Sequence, residues 1–257
     1  MPDRRHHRGA HPSDRLLFAE PNLQELRQAV SDLSWLMTKG YAPAASLKLV
    51  GDRYELRARQ RLAVARAACS DQQRARRLAG RIPLFERSRI LIDGFNLLIT
   101  IEAALSGGPL LLCRDGLIRD LSSVHGSYRA VDETENAILL IGSFLETQET
   151  AAAEWLLDQP VSNSGRLAGR IREIAGERNW PWTVRLDFNP DKLLRNSDAI
   201  VITSDSNILD AGVMWVEAVR LILGDRLNSC WVVDLCETDK SAALLPGAPA
   251  SPPAPVS

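Results

Sequence analysis

Five short apolar runs in this chain each end within two or three residues of an aspartate. Ile90, Leu91 and Ile92 precede Asp93; Leu110 to Cys113 precede Asp115; Glu154 to Leu157 precede Asp158; Thr183 to Leu186 precede Asp187; and Ala199 to Ile202 precede Asp205. Apolar runs this short, bounded by turn residues, read as strands. A sixth run, Cys230 to Leu235, is expected to close the sheet. Helical stretches separate most of them, at Asn96 to Leu105, Thr134 to Thr150, Gly165 to Glu177 and Leu209 to Leu223. Strands alternating with helices predict an α/β fold with a mostly parallel sheet flanked by helices. In an open sheet of that kind ligands gather at the carboxyl ends of the strands, where loops from several strands converge. The aspartates therefore stand where chemistry is expected.

The chain upstream has a different texture. Leu23, Leu26, Val30, Leu33, Leu36 and Met37 recur at three- and four-residue steps, with Gly40 where a helix should stop. Further helices are expected from about Ala42, over Tyr54 to Ala68, and in the sequence SDQQRARRLAG, which has its own Ser/Asp start and Gly end. The resulting division is a disordered His/Arg-rich arm over 1–21, a small all-helical basic domain over 22–85, an α/β domain over 88–236, and a disordered Pro/Ala-rich tail over 237–257. With 257 residues, 45% hydrophobic and 25% charged, the chain can bury one sizeable core and a smaller satellite. No apolar run approaches the length of a membrane span, and no signal-peptide core follows the N-terminus. Cys69, Cys113, Cys230 and Cys236 lack CxxC spacing, so they read as reduced thiols, and the expected location is cytoplasmic.

Carboxylates gathered at one end of a sheet repel one another unless a cation neutralises them, and hard oxygen donors suit Mg²⁺ or Mn²⁺. Each aspartate alone could equally be a turn or cap residue. This applies most to Asp187, in Asp-Phe-Asn-Pro-Asp, and to Asp115, before Gly116. The net charge of -1 hides a run of arginines between Arg53 and Arg89. Such a run suits a phosphate backbone and suits a solvated helical face as well.

The segment ILIDGFNLL, with Asp93 and Asn96, resembles the first strand and turn of PIN-like domains of the NYN type, a nuclease superfamily. AIVITSDSNILD resembles the later strand of those domains, with Asp205 as a second acid and Ser204 beside it, and EWLLD fits the strand carrying a further acid, Asp158. The resemblance spans roughly Ile90 to Leu235. It implies that Asp93, Asp158 and Asp205 hold Mg²⁺ or Mn²⁺, and that a fourth catalytic acid sits on an intervening helix, where Glu135 and the nearby Glu133 are the candidates. Both are also ordinary first-turn helix acids. The whole chain further resembles an uncharacterised prokaryotic domain-of-unknown-function family.

Candidate substrate contacts are Arg114, His125 and Arg129 in the long polar segment after the second strand, and Asn163 and Ser164 at a helix N-terminus suited to an anion. Asn96 and Ser204 join them from the resembling motifs. Trp155, Trp180, Trp182 and Trp215 read as core rather than as a stacking surface. The expectation is a metal-dependent nuclease acting on nucleic acid, RNA rather than DNA, away from membranes; a homo-oligomer and a regulatory protein partner both stay open. The alternative from another class is a PIN-like module that binds nucleic acid or protein without cutting. A phosphatase lacks its DxDxT or P-loop, and a dinucleotide site lacks GxGxxG.

Overall fold

A computed structural model describes residues 7–83, 87–122 and 128–236. Five helices come first: α1 (Asp14–Leu17), α2 (Glu20–Thr38), α3 (Pro43–Arg53), α4 (Ala58–Ala67) and α5 (Asp71–Gly80). Local chemistry sets several of their ends. Pro43 opens α3 at a position where its missing N–H is not needed. Ser70 and Gln73 close a reciprocal capping box at the start of α5, at 3.1 and 2.9 Å.

The chain continues through β1 (Arg89–Asp93), α6 (Gly94–Leu105), β2 (Leu110–Leu112), β3 (Ile118–Asp120), α7 (Thr134–Thr147), β4 (Ala152–Asp158), α8 (Ser164–Glu177) and β5 (Trp182–Asp187). It ends with α9 (Pro190–Arg195), β6 (Ile200–Ile202), α10 (Ser206–Leu209), α11 (Ala218–Leu223), a 3-10 turn at Gly224–Ser229, and β7 (Val232–Asp234). Four strands form an all-parallel sheet in the order β5-β4-β1-β6. Central β1 is apolar on both faces, as a covered parallel strand must be. Ile90 and Ile92 face a large core with α6, α7, α8 and α11, whereas Leu91 faces a smaller one with Leu194 of α9 and Ile208 of α10.

The expected α/β architecture with a mostly parallel sheet is present, with one correction. The runs at Leu110 and Cys230 do not join that sheet. They form a second one, β3-β2-β7, in which β2 pairs parallel with β7 and antiparallel with β3. The hairpin partner β3 carries only Ile118 as an apolar strand signal, so periodicity alone passed over it. One face of this small sheet closes the core of the helical layer: Leu111, Cys113, Leu121, Val233 and Leu235 pack in one cluster with Leu26, Leu33 and Val64.

Two further expectations change. Residues 7–21, read as part of a disordered arm, are packed, because Asp14 is buried against Arg59 and Phe18 enters the helical core. The helix expected over Leu209 to Leu223 is largely extended up to Glu217. Gly212 has a left-handed φ of 84°, and beyond it Trp215 bridges Val201 on one side and Arg81 on the other. That route buries the Trp215 ring and gives its indole N–H the Arg77 carbonyl at 2.7 Å. A helix would have left this donor without a partner.

Among the described residues, no helix is long and apolar enough to cross a membrane. All four cysteines are free thiols.

Candidate active site

β1, β4 and β6 run parallel, so their carboxyl ends share one edge of the sheet. Asp93 is the last residue of β1, Asp158 the last of β4, and Asp205 follows β6 as the N-cap of α10. The chain can turn sharply after Asp93 because Gly94 follows. A Cβ at residue 94 would stand 2.6 Å from Leu157 Cδ2 and 2.9 Å from the Leu156 carbonyl. Thr203 Oγ1 donates to Asp93 Oδ2 at 2.7 Å and accepts from the Asp205 N–H at 3.0 Å, tying two of the acids together. Asp205 caps α10 through Oδ1, which accepts from the N–H groups of Asn207 and Ile208 at 2.7 and 3.3 Å. Its Oδ2 is left for other work. Asn96 Oδ1 accepts from both the N–H and the hydroxyl of Ser204, at 2.8 and 3.0 Å, so these two site candidates brace the turn between Asp93 and Asp205.

The further acid whose charge acts on Asp93 is Asp191, and Glu135 is not among those that do. Burial pushes the Asp93 carboxyl up to about 7; the Thr203 hydrogen bond opposes this, and Asp205, Asp191 and Asp158 each push further upward. Asp158 is raised by burial and by Asp191, and Asp191 by burial and by Asp205, with Arg195 opposing. The four carboxylates thus act on one another. Asp191 lies in the first turn of α9, where Asn189 accepts from Lys192 N–H at 3.1 Å and Pro190 follows. The stretch read as a turn in the sequence is a helix start, and Asn-Pro-Asp directly after a strand was the available signal. Glu135 projects from α7 with its side chain 57% exposed and pairs with Arg170 at 2.7 Å. Glu133 pairs with His7 at 2.9 Å. Neither acts on Asp93.

Among the described residues no three Asp, Glu, His or Cys side chains converge closely enough to hold one ion. The oxygen-only chemistry of these carboxylates is of the kind that would suit a hard divalent cation, and the charges acting most on Asp93 are those of Asp205, Asp191 and Asp158.

The remaining site candidates are scattered. Asn163, in a left-handed conformation at φ 68°, donates to the Tyr128 carbonyl at 2.8 Å, and the buried Ser164 hydroxyl donates to the Gln159 carbonyl at 3.3 Å. Both lie in the connection that leaves Asp158. Arg114 is committed elsewhere, to Asp71 at 2.7 Å and to the Cys69 carbonyl at 2.8 Å. Arg129 lines a separate open cleft of about 560 Å³ with His7, His11 and Arg59, to which none of the four aspartates contributes. His125 lies outside the described residues.

Asp115 and Asp187 are engaged in local hydrogen bonds and ion pairs. Asp187 accepts from Asn189 N–H and Arg185. Asp115 is buried between Arg119, at 2.9 and 2.7 Å, and Arg77, at 2.7 Å. Burial alone would raise its pKa, yet the two guanidinium groups outweigh burial and hold it at about 2. Arg119 also donates to the Ser204 carbonyl at 2.8 Å, and Arg77 grips Asp210 at 2.7 and 3.0 Å. One buried ion network therefore clamps α10 at both ends and joins it to α5.

Several arginines of the arginine-rich stretch are engaged with partners within the chain. Arg59 pairs with Asp14, Arg61 with Asp52, Arg66 reaches the Ser122 carbonyl, Arg76 the Asp210 carbonyl, and Arg89 pairs with Glu154. Arg81 lies over the Trp215 ring.

Fold and site together define an α/β protein with a group of aspartates at the carboxyl edge of a parallel sheet. The chain belongs to the family described as Domain of unknown function (DUF5616), which matches residues 84–221, and residues 25–79 match the family described as Protein of unknown function (DUF434). It is 33% identical over 186 residues to a protein of Methanocaldococcus jannaschii described as Uncharacterized protein MJ0935, covering 72% of this chain and 88% of the relative. No solved structure matches it.

Proposed function

We propose that this chain is a metal-dependent nuclease of the PIN-like, NYN type, an endoribonuclease that hydrolyses phosphodiester bonds at the Asp93, Asp158, Asp191 and Asp205 crevice with Mg²⁺ or Mn²⁺. The observation that carries this reading is the set of four mutually repelling aspartates at one sheet edge, the central one keeping its proton up to about pH 7. Perturbed carboxyls of this kind concentrate at functional sites. A divalent cation bound there supplies charge neutralisation for the phosphate and a more acidic water. Asp93 offers Oδ1, since Oδ2 is engaged by Thr203, and Asp205 offers Oδ2, since Oδ1 caps α10. Asp158 and Asp191, whose pKa values are raised, can accept a proton from an attacking water.

The test is incubation of the wild type and Asp93→Asn with labelled single-stranded and structured RNA in Mn²⁺, in Mg²⁺ and in chelator. Metal-dependent cleavage that vanishes in Asp93→Asn supports the reading, and cleavage retained by that variant removes Asp93 from it. The second reading, a PIN-like module that binds nucleic acid or a protein without cutting, is favoured by the lack of three carboxylates within reach of one ion among the described residues. Salt-sensitive RNA binding with no hydrolysis would select it.

A further inference from the structure

Beside the Thr203–Asp205 turn is a small cavity lined by Asn96, Thr203, Ser204 and Glu217 together with apolar residues including Leu97 and Leu117. Its volume of about 10 Å³ is that of a single water site. Glu217, the residue before α11, is 3% exposed, and neither of its carboxylate oxygens has a hydrogen-bond partner. Burial pushes this carboxyl up to about 7; Arg220, Arg81 and Arg119 oppose that and Asp115 adds to it, but none of these forms an ion pair with it among the described residues. A buried, unpartnered carboxyl is costly and calls for a reason. Asn96 Oδ1 is occupied by Ser204, while its Nδ2 has no acceptor among the described residues. Asn96 and the unpartnered Glu217 carboxyl thus line one water-sized space.

We propose that Glu217 is a positioning residue of the carboxylate site, acting through one water molecule in this cavity that accepts from Asn96 Nδ2 and donates to the Glu217 carboxyl. The inference rests on the carboxylate-site reading above and names a residue that reading does not use. The bridge fixes which way the Asn96 amide faces, and so keeps Oδ1 on the Ser204 N–H and hydroxyl. That pair in turn sets the Thr203–Asp205 turn, through which Thr203 holds Asp93. Two outcomes should therefore separate on mutation, because removing the buried carboxyl relieves a cost to the fold while loosening the turn.

The full-length protein is compared with Glu217→Leu and Glu217→Gln by amide hydrogen exchange at Ser204 and Asp205, by the Asn96 side-chain amide resonances, and by Mn²⁺ titration. In Glu217→Leu, exchange at Ser204 should quicken and Mn²⁺ affinity should fall, each by about tenfold, the usual scale for losing a group that supports a metal ligand, with no loss of melting temperature. Glu217→Gln, which still accepts from the water, should stay close to wild type in both. Wild-type exchange at Ser204 in a stably folded Glu217→Leu would overturn the proposal. Should that variant fail to fold, the wild type and Glu217→Gln decide alone. Between about pH 5 and 8 the Asn96 resonances should move further in the wild type than in Glu217→Gln, where Asp93 still titrates nearby, and equal movement in both proteins overturns the bridge. Absence of Mn²⁺ binding by the wild type would instead defeat the metal reading, leaving Ser204 exchange to judge the link to Glu217.

Discussion

Asp93 gives up its proton near 4 in an unfolded chain and near 7 in the native one, so between those values the native state binds more protons and stability falls as pH rises. Asp93→Asn is expected to melt higher than wild type at about pH 8, by on the order of 2 kcal/mol, and to match it near pH 4, while losing hydrolysis. Thermal melts across that range check the sign. Addition of Mn²⁺ should raise the wild-type melting temperature and leave that of Asp93→Asn nearly unchanged. A second contrast concerns the fourth acid. Asp191→Asn should weaken Mn²⁺ binding about tenfold, whereas Glu135→Gln, which breaks an exposed pair with Arg170, should change stability by under about 1 kcal/mol and leave metal binding as it was. Asp93, Asp158 and Asp205 could be named from the sequence because each directly follows an apolar run. Asp191 could not be told from a turn residue until α9 placed it over the same crevice.

Among the elements, α10 is a single turn, too short to hold its place by itself. It is held by charge: Arg119 at the Ser204 carbonyl, Arg77 on Asp210, and Asp115 between the two guanidinium groups. Removing one partner of such a buried set leaves the others uncompensated. Arg119→Met should therefore cost about 3–5 kcal/mol in urea unfolding and accelerate amide exchange in α10. Asp115, held at about 2 by its arginines, stabilises the native state above its unfolded pKa near 4, and that contribution is lost as pH falls through the window down to 2. β1, β4, β5 and β6 were legible as short apolar runs, and α2 and α8 from their periodicity. β3 and the extended stretch through Trp215 were not, since the pairing partners that stabilise them are distant in the chain.

For the whole molecule, the helical layer and the second sheet share one hydrophobic cluster. A fragment spanning 88–236 would expose Leu111, Leu121 and Val233, all buried in the intact chain. Such a fragment is expected to lack a cooperative melt and to associate, while the full chain unfolds in one transition; calorimetry on the two distinguishes these outcomes. Some arginines of the helical layer contribute to the same union, Arg77 on Asp115 and Asp210 and Arg66 at the Ser122 carbonyl. Local order along the chain determined which segments form strands and helices, that the sheet is mostly parallel, and that aspartates follow its strands, because apolar periodicity and capping act over a few residues. The tertiary structure decided which aspartates meet, which are neutralised by buried arginines, and where Glu217 and Asn96 are left facing one cavity. Those outcomes depend on burial and on charges brought together from residues far apart in the chain, and neither is written in local sequence.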